Sequence, residues 1–271
     1  MPRLPHTLLL VLSFAAASVH AVGLPDTGQD ACYSNIVVDG VVASNTTSIA
    51  RDAGSHPRQD CLYGRDAATA ASALTKTGAG AKGFDYSKIA NDGSVLAAGA
   101  TLGTNSTDWA CTKDNITGLT WEVKTASGLR NNASTYTWYS SNAASNGGIV
   151  GTANGGTCSG GTGCDTEKFV ANVNTASLCS YTDWRMPTQR ELLTLVYADG
   201  SSPSIDPTYF PNTPTSHFWS GSSYVSDPIF AWYVYFVYGS SGTFKKKGDY
   251  YSGVVHRTDG IHVRLVRGGQ F

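Results

Sequence analysis

The stretch Phe230–Tyr251, FAWYVYFVYGSSGTFKKKGDYY, places bulky apolar and aromatic groups at consecutive positions. A half-exposed strand would alternate them with polar ones. At a period of two, Trp232, Val234 and Phe236 share one face, and Tyr233, Tyr235 and Val237 share the other, which Tyr238 extends. One face serves as core. The opposite face is either covered by a neighbouring element or left open as a stacking platform. Periodicity alone favours the covered alternative, because aromatic stripes are usually core.

The flanking sequence supplies short strands and two helices. MPTQRELLTLVYADG (Met186–Gly200) is the clearest helix: Thr188 and Glu191 form a capping box, Leu192, Leu195 and Val196 make the buried stripe, and Gly200 ends it. In CDTEKFVANVNTASLC, Asp165 is the expected N-cap, Glu167 lies in the first turn, and Phe169, Val170 and Val173 share a face. Gly118–Val123, Thr135–Tyr139, His217–Ser222 and Ile261–Val266 read as strands bounded by turn residues. Two helices between groups of strands predict an α+β fold.

The chain has 271 residues, with 19 Lys and Arg against 20 Asp and Glu. That balance gives no electrostatic reason to expect nucleic acid as a partner. Charged residues are only 14%, against roughly 25% in an average globular domain. Ser, Thr, Asn, Gly and Tyr must therefore supply the polar surface, a palette that suits paratope-like binding. Residues 1–21 read as an export signal, with Arg3 and His6 ahead of LLLVLSFAAASV and small residues up to Ala21. The apolar run is too short to span a bilayer, and no later segment is apolar enough. A periplasmic, cell-surface or secreted location is expected.

In that setting the six cysteines favour disulfides. Fifteen pairings are open; the preferred set is Cys32 with Cys61, Cys111 with Cys179, and Cys158 with Cys164. No C-x-x-C and no suitable His pair supports a zinc site. Residues 22–105, rich in Ala and Gly, read as an N-terminal extension lying on a main domain at 106–271, where all six Trp fall. LPDTG (Leu24–Gly28) matches a sortase pentapeptide but stands at the wrong end of the chain for that role.

Several constellations have a structural and a functional meaning. Asp183–Trp184–Arg185 reads as a packed Trp whose flanking charges satisfy one another or backbone groups between the helices, and Arg264 and Arg267 carry the same structural expectation. Cys158 within GTCSG is a poor nucleophile elbow, because it sits in a Gly/Thr/Asn loop beside another Cys. His217, His256 and His262 have no spacing that singles out a triad. Lys245, Lys246 and Lys247 read as a solvated hairpin tip, or as a basic knob for sulfated or uronic glycans.

YTDWRMPTQRELLTL, CTKDNITGLTWEVKT, IDPTYFPN, FWSGSSY, AWYVYF and VRLVRGGQ occur in one consistent order over roughly Trp109–Phe271. Together they closely resemble the Lcl C-terminal domain family, exported bacterial domains first named from collagen-like adhesins. The resemblance implies a disulfide-stabilised C-type-lectin-like fold with two helices and short antiparallel strands. It also implies binding of glycan or protein surface ligands, without catalysis or a cofactor. Glu-Pro-Asn and Trp-Asn-Asp, the calcium-dependent sugar motifs, are absent. In some family members the C-terminal third is rewritten by diversity-generating retroelements, which keep framework residues and vary those between them.

Carried onto this chain, that pattern makes Trp232, Val234 and Phe236 framework. It makes Tyr233, Tyr235, Val237, Tyr238, Ser240, Ser241, Thr243, Phe244, Asp249, Tyr250, His256 and Asp259 the ligand surface, supported by Trp219, Ser222, Ser223 and Tyr224. Two rivals stand beside the binding domain. One is a structural envelope component whose aromatic face is covered. The other is an enzyme of the formylglycine-generating type, which shares the broader fold and uses a reactive Cys pair.

Overall fold

The computed structural model describes residues 26–28, 32–38, 41–45, 64–160, 163–198, 201–246 and 261–269. Strands β1 (Cys32–Val38) and β2 (Val41–Asn45) pair antiparallel with each other, and α1 (Arg65–Ala70) follows. A five-stranded antiparallel sheet is built from β3 (Tyr86–Ala90), β4 (Val95–Leu96), β5 (Trp109–Asp114), β6 (Thr120–Glu122) and the late β10 (Val266–Arg267), in the order β10-β6-β5-β3-β4. Helices α2 (Thr166–Thr175) and α3 (Gln189–Leu193) come between the two groups of strands. A three-stranded antiparallel sheet follows, β7 (His217–Ser223), β8 (Phe230–Tyr235) and β9 (Ser240–Lys245), with β8 in the centre. The fold is α+β with antiparallel sheets. Among the described residues, no helix is long and apolar enough to cross a membrane.

The segment expected as an N-terminal extension is partly built into the sheet. β3 lies between β4 and β5, pairing Ile89 with Cys111 and Lys88 with Thr112, and every residue of it is buried. Its Lys88 stays charged-compatible by donating to the Ala100 carbonyl at 2.8 Å over the Trp109 ring. A boundary at residue 106 therefore does not divide the packing. Poverty in large apolar groups across residues 22–105 hid one dense patch, Phe84–Ala90. Residues 26–28 also dock: the Ala198 amide donates to the Thr27 carbonyl. Gly28 takes φ +68° where a Cβ would stand 2.1 Å from the Tyr197 ring, so only glycine fits.

Both helices start as their sequences dictate. The Asp165 side chain caps α2 by accepting from the Lys168 amide at 2.8 Å. Thr188 and Glu191 cap α3 reciprocally. α3 is shorter than the expected run to Gly200, because the bonds at Thr194, Leu195 and Val196 tighten to i→i+3, the geometry of a fraying helix end. Leu192 and Leu195 are still buried, and Val196 half-buried. Thr135–Tyr139, expected as a strand, makes only single bridges, to Thr157, Ile261, Asp165 and Gly151. Ile261–Val266 likewise contributes bridges before the short β10.

Two apolar clusters fill the interior. One gathers Tyr136, Trp138, Phe169, Val173, Trp184, Trp219, Val263 and Leu265; the other gathers Tyr86, Trp121, Leu192, Phe210, Phe218, Val234 and Phe236. Charges at the seam are paired. Lys124 meets Glu122 at 3.1 Å with both side chains buried. Arg185 grips Glu191 with both terminal nitrogens at 2.8 and 2.7 Å. Arg267 binds Asp183 at 2.7 Å while stacking on Tyr181. Trp184 is buried as expected, but its flanking charges do not pair with each other: Asp183 goes to Arg267, and Arg185 to Glu191 and the Gly268 and Gly269 carbonyls.

Disulfides join Cys111 to Cys179 and Cys158 to Cys164. Cys61 and the Cys32 side chain lie outside the described residues, as do residues 1–21. The basic-knob expectation fails at Lys246. Its ammonium is buried, donating to the Asn146 carbonyl and the Ser223 hydroxyl, each at 2.7 Å, with the Trp138 ring 4.1 Å away. Strand β9 carries Lys245, so the hairpin tip falls instead at Phe236–Gly239. Lys247 lies outside the described residues.

Two outcomes follow from these contacts. Cys111→Ser combined with Cys179→Ser opens a link across 68 residues and should lower unfolding stability by about 4 kcal/mol in denaturant titration; opening Cys158–Cys164, six residues apart, should cost less. Burial lowers the Lys246 ammonium to about 8, below the ordinary lysine value of about 10.4. Between those values the unfolded chain holds a proton that the folded chain has released, so folding is favoured as pH rises. Urea unfolding at pH 7 and pH 10 should show the wild type gaining stability relative to Lys246→Met.

Candidate binding face

The cross-strand register sorts the expected ligand residues onto two faces of the β7-β8-β9 sheet. His217 pairs with Tyr235, Trp219 with Tyr233 and Ala231 with Phe244, which puts those side chains on one face. Phe218 pairs with Val234, Val234 with Ser241 and Trp232 with Thr243, which defines the other. Phe218, Val234 and Phe236 are fully buried in the second cluster. Trp232, expected to be equally buried, is half-buried and meets Tyr224 edge-on at 5.4 Å.

The first face carries a connected row of rings. Trp219 meets Phe244 edge-on at 6.1 Å, and Phe244 stacks on Tyr233 at 4.2 Å. His217 touches Tyr233 at 4.8 Å and stacks almost parallel on Tyr235 at 4.0 Å. Tyr235 then meets Tyr238 edge-on at 5.6 Å. Burial falls along the row: Trp219 is 4% exposed and Tyr238 79%, with Phe244, Tyr233, His217 and Tyr235 half-buried between them. Edge-to-face and offset contacts of this kind hold rings in place.

Local sequence explains how the row forms. Tyr233 lies across β9 at Gly242, where a Cβ would come within 2.6 Å of the tyrosine oxygen; a bare glycine gives the ring its bed. The Tyr233 hydroxyl is raised above the usual tyrosine value by burial and then by its neighbour Tyr235, so it stays a neutral donor at physiological pH. Tyr238 stands in the β8–β9 turn, its amide bonded back to Tyr235.

The expected site residues thus separate. Tyr235, Tyr238 and Ser240 sit together at the open end. Tyr233 and Phe244 are half-buried packing partners, and Val237 is half-buried with its carbonyl accepting from Ser204. Ser241 and Thr243 belong to the opposite face, where Ser241 accepts from the Gln189 side chain. Trp219 is a core residue: its indole donates to the Tyr136 carbonyl at 3.0 Å inside the first cluster. Ser222 accepts from the Gln189 amide, and Ser223 holds Lys246 and donates to Ser145. Asp249, Tyr250, His256 and Asp259 lie outside the described residues.

Sequence reasoning missed His217, which joins Tyr233 to Tyr235. Its alternation with Trp219 on a strand was a visible signal, but only the register reveals Tyr235 as its partner. Among the described residues, no group of three or more His, Cys, Asp or Glu side chains could hold a metal.

No curated protein and no solved structure matches the chain. The model of the Lcl C-terminal domain matches residues 110–267, a span that takes in β5, both capped helices, the ring-bearing sheet and β10. Covering more than half of the 271 residues, that match places the chain in the Lcl C-terminal domain family.

Proposed function

We propose that the protein is an exported, non-catalytic binding domain of C-type-lectin-like fold, taking a glycan or protein surface ligand at the open end of the ring row. The observation that carries this reading is the gradient of burial from Trp219 to Tyr238. The buried end fixes the row to the core, and the exposed end presents Tyr238 beside Tyr235, which is itself stacked on His217. Preorganised aromatic groups bind with little further loss of entropy. The positions Tyr238, Ser240 and Ser241 are exposed, so other side chains could replace them without disturbing either cluster. That tolerance fits a surface diversified by a retroelement.

A structural envelope role predicts a different outcome from the same substitution. Tyr238→Ala removes an exposed ring whose one ring contact among the described residues is the edge of Tyr235, so stability should change by less than about 0.5 kcal/mol. Any ligand captured by the wild-type protein on a glycan and protein array should be lost or weakened about tenfold, as for a truncated hot-spot aromatic. Retained capture by Tyr238→Ala and by Tyr235→Ala would dismiss the ring row as the binding face.

A further inference from the structure

A second concavity lies away from the ring row, where α2, the start of α3 and the end of β7 converge. Its volume is about 750 Å³, within the range of small-molecule sites. β7 is built for it: the ladder with β8 shifts between Trp219 and Ser223, an irregularity of the kind that re-aims side chains. Freed from the ladder, the Gly221 amide donates to the Pro187 carbonyl at 2.7 Å, and the Ser222 hydroxyl accepts from the Gln189 amide at 3.0 Å. Ser222 is thereby brought into the wall of the cleft.

The chemistry of the lining is selective. Val170, Met186 and Pro187 give an apolar floor. Tyr139, Thr188 and Ser222 also line it; their hydroxyls can both donate and accept, with Thr188 already accepting the Glu191 amide and Ser222 the Gln189 amide. Of the charges, Arg185 is consumed by Glu191 and by the Gly268 and Gly269 carbonyls. Glu191 in turn accepts the Thr188 amide. Glu167 is different. One of its oxygens accepts from the Ser141 amide and hydroxyl at 2.7 and 2.8 Å, while no cation offsets its charge among the described residues lining the cleft. A sulfate or uronate placed here would meet that carboxylate and be repelled. An alkylammonium would gain one charge contact but leave these hydroxyls largely unused.

We propose that this cleft is a second binding site, distinct from the ring row, for one ring of a neutral carbohydrate. The aliphatic face of the sugar would lie on Val170, Met186 and Pro187. Its hydroxyls would be received by Glu167, Tyr139 and Ser222.

The test is calorimetric and saturation-transfer titration of the full chain with methyl glucoside, methyl galactoside and methyl mannoside, alongside glucose 6-sulfate and n-butylammonium. At least one neutral glycoside should bind saturably and more tightly than the two charged probes. Glu167→Gln, which keeps the shape, should weaken it about tenfold or more, and Tyr139→Phe about threefold to tenfold. In Tyr238→Ala, which disables the ring row, the binding that depends on Glu167 should persist, which separates this site from the ring row. Preference for either charged probe, absence of saturable binding by all three glycosides, or equal affinity in Glu167→Gln would overturn the proposal. So would loss of binding in Tyr238→Ala alone, which would move the sugar to the ring row.

Discussion

The guanidinium of Arg264 is the constraint on which the rest of the structure rests. It is fully buried, donating to the Glu122 carbonyl at 2.8 Å and the Thr213 hydroxyl at 2.7 Å, between the rings of Phe210 and Phe218. Burial lowers it to about 10, so it remains charged at neutral pH. A charge in that position is tolerable because Glu122 lies near and both terminal nitrogens are held. Its neighbours Val263 and Leu265 enter one apolar cluster and Val266 the other. The run Ile261–Arg267 also bridges to Tyr136, Phe218, Arg185 and β6. One short segment thus joins both sheets and both clusters, and the position of the ring row is fixed by that seam.

That arrangement answers the two-sided character of β8. Its Val234 and the following Phe236 are buried because the helix α3 side of the sheet is core. The other face is neither plainly covered nor plainly open. Trp219 belongs to the core and Tyr238 to solvent, with a graded series of rings between them. The two alternatives posed by periodicity are both realised, at opposite ends of one row.

Local chemistry was legible in the sequence where it depends on neighbours a few residues apart. The caps at Asp165 and Thr188, the packed Trp184 and the closure of Cys158 with Cys164 are of that kind. What escaped depends on partners distant in the chain. Lys246 reads as one of three exposed lysines, yet it folds inward because Asn146, a hundred residues earlier, offers a carbonyl. β3 is hidden in an Ala/Gly-rich stretch because its value comes from pairing with β5. Trp219 looks like a surface aromatic until its indole finds the Tyr136 carbonyl.

The inward turn of Lys246 also bears on what kind of recognition this surface can support. With that ammonium buried against Asn146, Ser223 and the Trp138 ring, it is not available for direct contact with an anionic partner. The chain as a whole carries a formal net charge of −1. Long-range steering, which speeds association between opposite charges, therefore has little to act on. A partner would be held by ring stacking and neutral hydrogen bonds, which act only at contact and discriminate by shape. On the proposed reading, affinity would be tuned by exchanging exposed side chains on a fixed frame, which the seam at Arg264 would supply.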